Sequence, residues 1–229
     1  MKKLSFALCL ILLFSLTLIG CDKYVSKYDE NYVYDGESLL GKWQETKFTD
    51  EFYQVYNFTS SKDVILTAYS YGIVMQEIEA TYYVENNNVL VVEWGGGYVN
   101  KNNFSISKDG YLTITQVLEA EHNEMLLEPY NIEWNTSNDA IKGTWISSDY
   151  QGESFTFGSD YKLSVEGNDE IYKIDYAVKG DTLAFGGEFV EGFKEEVNVM
   201  TYKIDGDTLT LTGKDENGGN VVLTFTREK

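Results

Sequence analysis

From Leu39 onward apolar and polar residues alternate with period two, which predicts β-strands with one face buried. In the second half of the chain Phe155 and Phe157 share a face, as do Leu163 and Val165, then Tyr172, Ile174, Tyr176 and Val178, then Leu209 and Leu211. Each set is expected to point inward. Between them lie Lys179-Gly180-Asp181, Asp205-Gly206-Asp207 and Asn217-Gly218-Gly219-Asn220, which supply the positive φ angles of tight hairpins. The first half has Asn86-Asn87-Asn88 and Lys108-Asp109-Gly110 in the same role, and Pro129 near its last strand predicts an edge there, where a missing amide is tolerated. The pattern is that of an all-β antiparallel meander.

The meander is written twice. Gly41-Lys42-Trp43 returns as Gly143-Thr144-Trp145, Tyr56-Asn57-Phe58 as Phe155-Thr156-Phe157, Tyr82-Tyr83-Val84 as Tyr176-Ala177-Val178, and Leu112-Thr113-Ile114-Thr115 as Leu209-Thr210-Leu211-Thr212. Carried on without a gap, that register sets Leu126 opposite Leu223. A period of about 100 residues is too long for a solenoid unit and fits one small domain. Two tandem domains, 39–135 and 139–229, are expected, joined near Asn135 to Asp139. The alternative is one sandwich with a sheet from each half.

Ahead of the meander, Lys2-Lys3, an apolar run from Leu4 to Ile19 and then Leu18-Ile19-Gly20-Cys21 have the three parts of a secretory signal ending in a lipobox. The run is short for a membrane span. Residues 1–20 are therefore expected to be removed, and 21–38, with Tyr24, Tyr28, Tyr32 and Tyr34 among charged residues, to form a tether; docking of those tyrosines on the first domain is the alternative. The other cysteine, Cys9, lies inside the signal, so no disulfide forms within the mature chain. Burial must hold the fold together, and a chain with 15% aromatic residues has the side chains for it.

Loss of Lys2 and Lys3 takes the formal charge from −19 to −21. Such a chain repels phosphate, so nucleic acid is excluded as a partner, and anionic headgroups are poor ones. Any hold on a membrane has to come from lipid on Cys21.

The lipobox resembles that of bacterial lipoproteins, which implies cleavage before Cys21 and acylation of that residue. The repeat resembles the lipocalin and lipocalin-like families, whose barrels open with Gly-x-Trp and close with a basic residue over that tryptophan. Gly143, Trp145 and Arg227 match this pattern; in the first copy Gly41 and Trp43 match, and the register puts Tyr130 where the arginine would be. Together these features are similar to short lipocalin-like lipoproteins of Gram-negative anaerobic gut bacteria. The resemblance implies lipocalin-like barrels, attachment to the cell envelope with the outer membrane favoured, and little about ligand.

Candidate chemistry is sparse. His122, the sole histidine, is expected in a hairpin turn opposite Gly219, without the second histidine or supported base that a zinc site or triad needs. Most carboxylates fall in turns, which disfavours a glycosidase pair. Asp205-Gly206-Asp207 with Asp215-Glu216-Asn217 lacks the spacing of a calcium loop. No catalytic residue, metal site or cofactor is expected. More suggestive is Trp94-Gly95-Gly96-Gly97-Tyr98, echoed by Phe185-Gly186-Gly187-Glu188-Phe189. The glycines either bend a strand or leave an aromatic-rimmed opening, with Trp94 and Tyr98 in the first copy and Phe185 and Phe189 in the second, on which an apolar ligand or a sugar face rests.

The expected function is thus a non-enzymatic, lipid-anchored envelope protein binding a small apolar or carbohydrate ligand at a domain rim. The alternative is a structural or adhesive module binding envelope proteins through sheet edges or exposed aromatics. Barrels of eight strands have interiors that side chains just fill, and Trp145, Phe155, Phe157, Tyr172, Tyr176, Phe225 and the stem of Arg227 are expected to fill the second.

Overall fold

The computed structural model describes residues 29, 31–118, 121–135, 139–150, 152–167, 170–186, 188–190, 193–194, 197–214 and 218–229. The signal sequence, Cys21 and Gly187 lie outside the described residues. Strands β1 (Gly41–Glu45), β2 (Tyr53–Phe58), β3 (Asp63–Ser70), β4 (Ile73–Glu85), β5 (Val89–Trp94), β6 (Tyr98–Ile106), β7 (Leu112–Leu118) and β8 (Glu121–Pro129) close into one antiparallel barrel in chain order. Strands β9 (Gly143–Ser147), β10 (Ser154–Phe157), β11 (Lys162–Gly167), β12 (Glu170–Lys179), β13 (Thr182–Gly186), β16 (Asn198–Asp205), β17 (Thr208–Lys214) and β18 (Asn220–Arg227) close into a second. Between β13 and β16, β14 (Glu188–Val190) and β15 (Phe193–Lys194) form a separate two-stranded ribbon. Two closed barrels replace the alternative of a single sandwich.

One end of each barrel is stopped by the same device. Four residues ahead of the signature tryptophan, Leu39 and Ile141 are buried inside their barrels, and their carbonyls accept the indole N–H of Trp43 at 2.8 Å and of Trp145 at 2.7 Å. The glycines of Gly-x-Trp turn the chain into the first strand at φ +117° and +109°, where L side chains are strained. Phe58 meets Tyr82 edge to face at 5.0 Å and Phe157 meets Tyr176 at 5.1 Å. Each tyrosine donates its hydroxyl to a carbonyl of the neighbouring hairpin, Ser60 at 2.8 Å and Gly158 at 2.6 Å. Burial pushes the Tyr176 hydroxyl up to about 12 and that of Tyr82 higher still, so both stay protonated donors.

The copies differ at their closing strand. Arg227 stacks over Trp145 with its guanidinium carbon 4.0 Å from the ring centroid, and donates to the carbonyls of Lys142 and Ala140. Arg227 lies opposite Trp145, whereas Pro129 lies opposite Trp43. Leu127, facing Glu45, therefore matches Phe225, facing Ser147. The expected pairing of Leu126 with Leu223, and of Tyr130 with Arg227, is corrected by one residue, because the β17–β18 hairpin is one residue longer than β7–β8. Tyr130 instead packs outside the barrel. Nor is Pro129 on an edge: it is the last residue of β8 in a closed barrel, and the next amide, of Tyr130, donates to Lys42.

The free tether expected over 21–38 is corrected for its last residues. Tyr32 and Tyr34 set their rings 5.6 and 5.7 Å from Phe104 of the first core, and the Tyr34 amide donates to Asn87. These contacts add to the stopped end of the first barrel.

A third cluster joins the barrels. Tyr53, Val55 and Ile73 on the outer wall of the first meet Ala177 and Ala184 on the second, with Ile132 and Trp134 of the connection between them. Trp134 donates its indole N–H to Asp50 at 3.1 Å, and Asp50 pairs with Lys179 at 2.8 Å. The Lys179 ammonium lies 5.7 Å from the Trp134 ring centroid. Asn135 extends this join, bonding the amide and carbonyl of Val178.

Candidate functional site

Because each strand alternates its side chains, residues opposite a core residue share its face. At the stopped ends both interiors are apolar. At the other end, where β1, β3 and β5 finish, both are largely polar: Glu45, Gln54, Gln76 and Asn100 of the first stand at the register positions of Ser147, Glu153, Glu170 and Asn198 of the second.

In the second barrel the layer level with Trp145 is filled. Phe155 packs on Phe225 at 4.7 Å, and Val165, Ile174, Phe185 and Leu223 pack against the same core as Met200. This bears out the expected aromatic filling, with one exception: Tyr172, in phase with Ile174, is 54% exposed at the margin.

In the first barrel Tyr56, Val92 and Leu127 hold the positions of Phe155, Phe185 and Phe225, and the residues beyond them are polar. Glu45, two residues after Trp43, lies opposite core residue Leu127. Gln54 and Gln76 both face Ala68, which continues the inward phase of Val64 and Leu66. Asn100 lies opposite Val92 and Asn102 opposite Leu90, both core residues. Glu45, Gln76, Asn100 and Asn102 are half-buried, and Gln54 is buried. Burial raises the Glu45 carboxyl above its ordinary range, and the nearby Glu45 charge adds to the burial that raises the Tyr56 hydroxyl. That hydroxyl reaches the Met125 sulfur at 3.7 Å.

Trp94 and Tyr98 face each other across the last rung of the β5–β6 hairpin, with Gly95, Gly96 and Gly97 forming the turn rather than a bulge within a strand. Trp94 packs against the first core, yet its buried indole nitrogen has no hydrogen-bond partner. A buried donor left unpaired costs about 1–3 kcal/mol, so this N–H favours an acceptor beside it. The second run is not its counterpart. Phe185 lies opposite Tyr176, the position that Val92 takes opposite Tyr82, so the aromatic-glycine echo is offset by two residues. Phe185 belongs to the second core, and Phe189 lies on the β14 ribbon. Trp94 and Tyr98 flank the polar mouth of the first barrel, and Phe185 and Phe189 belong to the second half of the chain.

His122 lies on β8 opposite Val117 rather than in a turn, since β8 begins at Glu121. Among the described residues no group of three or more His, Cys, Asp or Glu is placed to hold a metal. An open depression of about 510 Å³ lies on the outer wall of the first barrel, with Asp63, Ile65, Glu79 and Glu93 in its lining. Gly95, next to Trp94, is also in its lining.

Sequence reasoning missed Glu45, Gln54, Gln76, Asn100 and Asn102 as lining residues. The comparison of copies signals one of them: Asn102, opposite Leu90, stands where the second barrel has Met200, opposite Leu183. The chain matches no protein-family model and no curated protein, and what it shows by itself is a tandem of eight-stranded antiparallel β-barrels consistent with a lipocalin-like fold.

Proposed function

We propose that this protein is a non-enzymatic, lipid-anchored binding protein of a Gram-negative bacterial envelope, held at the outer membrane through Cys21, and that its ligand enters the polar mouth of the first barrel. The single observation that carries the binding reading is the buried Trp94 indole N–H with no acceptor, at a mouth lined with amides. The second barrel serves as a filled partner that fixes the first through Trp134 and the Asp50–Lys179 pair. Glycoside hydrolysis needs two carboxyl groups facing each other, and Gln54 rather than a second acid continues the register beside Glu45, which speaks against that one chemistry.

Anchoring rests on the sequence Leu18-Ile19-Gly20-Cys21. Mass spectrometry of the N-terminus of the membrane-extracted protein tests it: an acylated chain beginning at Cys21 is expected, and a mature chain that keeps residues 1–20 refutes it. Binding is tested by native mass spectrometry of that protein, where a retained small molecule is expected.

A structural or adhesive role is the second reading, favoured by the outer wall of β4 to β6, where Tyr83 and Val99 are 43% and 50% exposed around buried Val91. Both barrels are closed, so neither offers a sheet edge, and partners would dock on these side chains. Recovery of one specific envelope protein, with no small molecule retained, would select this reading.

A further inference from the structure

The chemistry of the mouth also selects its ligand. Trp94 offers a donor only, Glu45 as a carboxylate accepts only, and Gln54, Gln76, Asn100 and Asn102 each offer both. An apolar ligand would bury these groups unpaired, at about 1–3 kcal/mol each. An anion would meet Glu45 inside a chain of formal charge −19. A cation would pair with Glu45 but set its charge against the Trp94 N–H. Hydroxyl groups satisfy all six, since each can donate to the carboxylate or accept from the indole. The Tyr98 ring, opposite Trp94, adds an aromatic face at the entrance for the C–H face of a ring. Several hydroxyls held on one compact ring with an apolar face describe a sugar.

Resting on the reading of this mouth as the ligand site, we infer that the first barrel binds a neutral carbohydrate, with a hydroxyl oxygen accepting from the Trp94 indole N–H and further hydroxyls bonded to Asn100, Asn102 and the glutamines.

The test uses the full mature chain on an array of neutral and acidic glycans, followed by calorimetric titration of the best neutral glycan. The apolar fluorophore N-phenyl-1-naphthylamine is titrated in parallel. Trp94→Phe keeps an aromatic ring and removes the N–H; Asn100→Leu, at a half-buried position, removes an amide and is a second variant should the first fail to fold. Saturable binding of a neutral glycan, weakened about tenfold by either substitution, is expected, since one hydrogen bond of about 1.4 kcal/mol is tenfold in affinity. Glycan binding unchanged in both variants overturns the assignment of these contacts. Saturation by the fluorophore alone overturns the carbohydrate class while leaving the mouth as the ligand site. Binding of neither overturns the ligand-site reading as well.

Discussion

Gly72→Ala should be among the most damaging single-methyl changes in the chain. Gly72 has φ +79°, and a Cβ built there would lie 2.5, 2.6 and 2.7 Å from Cγ, Cδ2 and Cβ of Trp134. The left-handed backbone alone costs an L residue roughly 1–2 kcal/mol. The clash adds about 1–3 kcal/mol of overpacking, because Trp134 is 8% exposed and fixed by Asp50 and Lys179, so its ring cannot swing away freely. Displacing it also strains the indole bond to Asp50, for about 1 kcal/mol more. The total is about 3–6 kcal/mol, concentrated at the join between the barrels. Gly110→Ala is the internal control, with φ +83° and open space around the added carbon, and should cost only the backbone part. Urea denaturation of both variants, followed by tryptophan fluorescence, measures the difference. In a Trp134→Ala background two of the three contacts vanish and the Gly72→Ala penalty should shrink by about 1–3 kcal/mol, a coupling of the size found between touching residues. Equal midpoints for Gly72→Ala and Gly110→Ala, or additive behaviour with Trp134→Ala, would refute the packing assigned to the join.

Three further outcomes are expected. Burial raises the folded-state pKa of Glu45 above its unfolded value, so stability is fully present below the unfolded value and is lost as pH rises through the folded one; Glu45→Gln should melt higher than the parent at neutral pH and converge with it below about pH 4. A gap in melting temperature that stays constant with pH would contradict this. Arg227→Lys keeps the charge and loses the planar fork that bonds two carbonyls over Trp145, and should lower stability by about 1–2 kcal/mol in a denaturant titration. Tyr82→Phe and Tyr176→Phe each remove the same hydroxyl-to-hairpin bond and should cost about 1 kcal/mol each; costs that differ severalfold would show that the two stopped ends are not equivalent.

Much of the fold was legible in the chain because a barrel wall imposes period two on its sequence. Phe155 and Phe157, Leu163 and Val165, Leu209 and Leu211 alternate with polar residues and proved to face one interior. The doubled Gly-x-Trp marked both first strands, and the aliphatic residue four positions earlier, Leu39 or Ile141, was visible in both copies once its role as a stopper was known. Tertiary structure decided what alternation leaves silent. In Tyr98-Val-Asn-Lys-Asn-Asn-Phe104 polar residues occupy both phases, so only the pairing with Leu90 and Val92 shows that Asn100 and Asn102 face inward. The offset between the two aromatic-glycine runs, and the one-residue shift that puts Pro129 in the place of Arg227, depend on hairpin lengths, which a residue-by-residue alignment of diverged copies absorbs without trace. Trp134 sat in a stretch with no period at all. Its partners Gly72, Asp50 and Lys179 are brought together only when two closed barrels pack wall to wall, and such contacts between distant segments carry no local periodicity from which to read them.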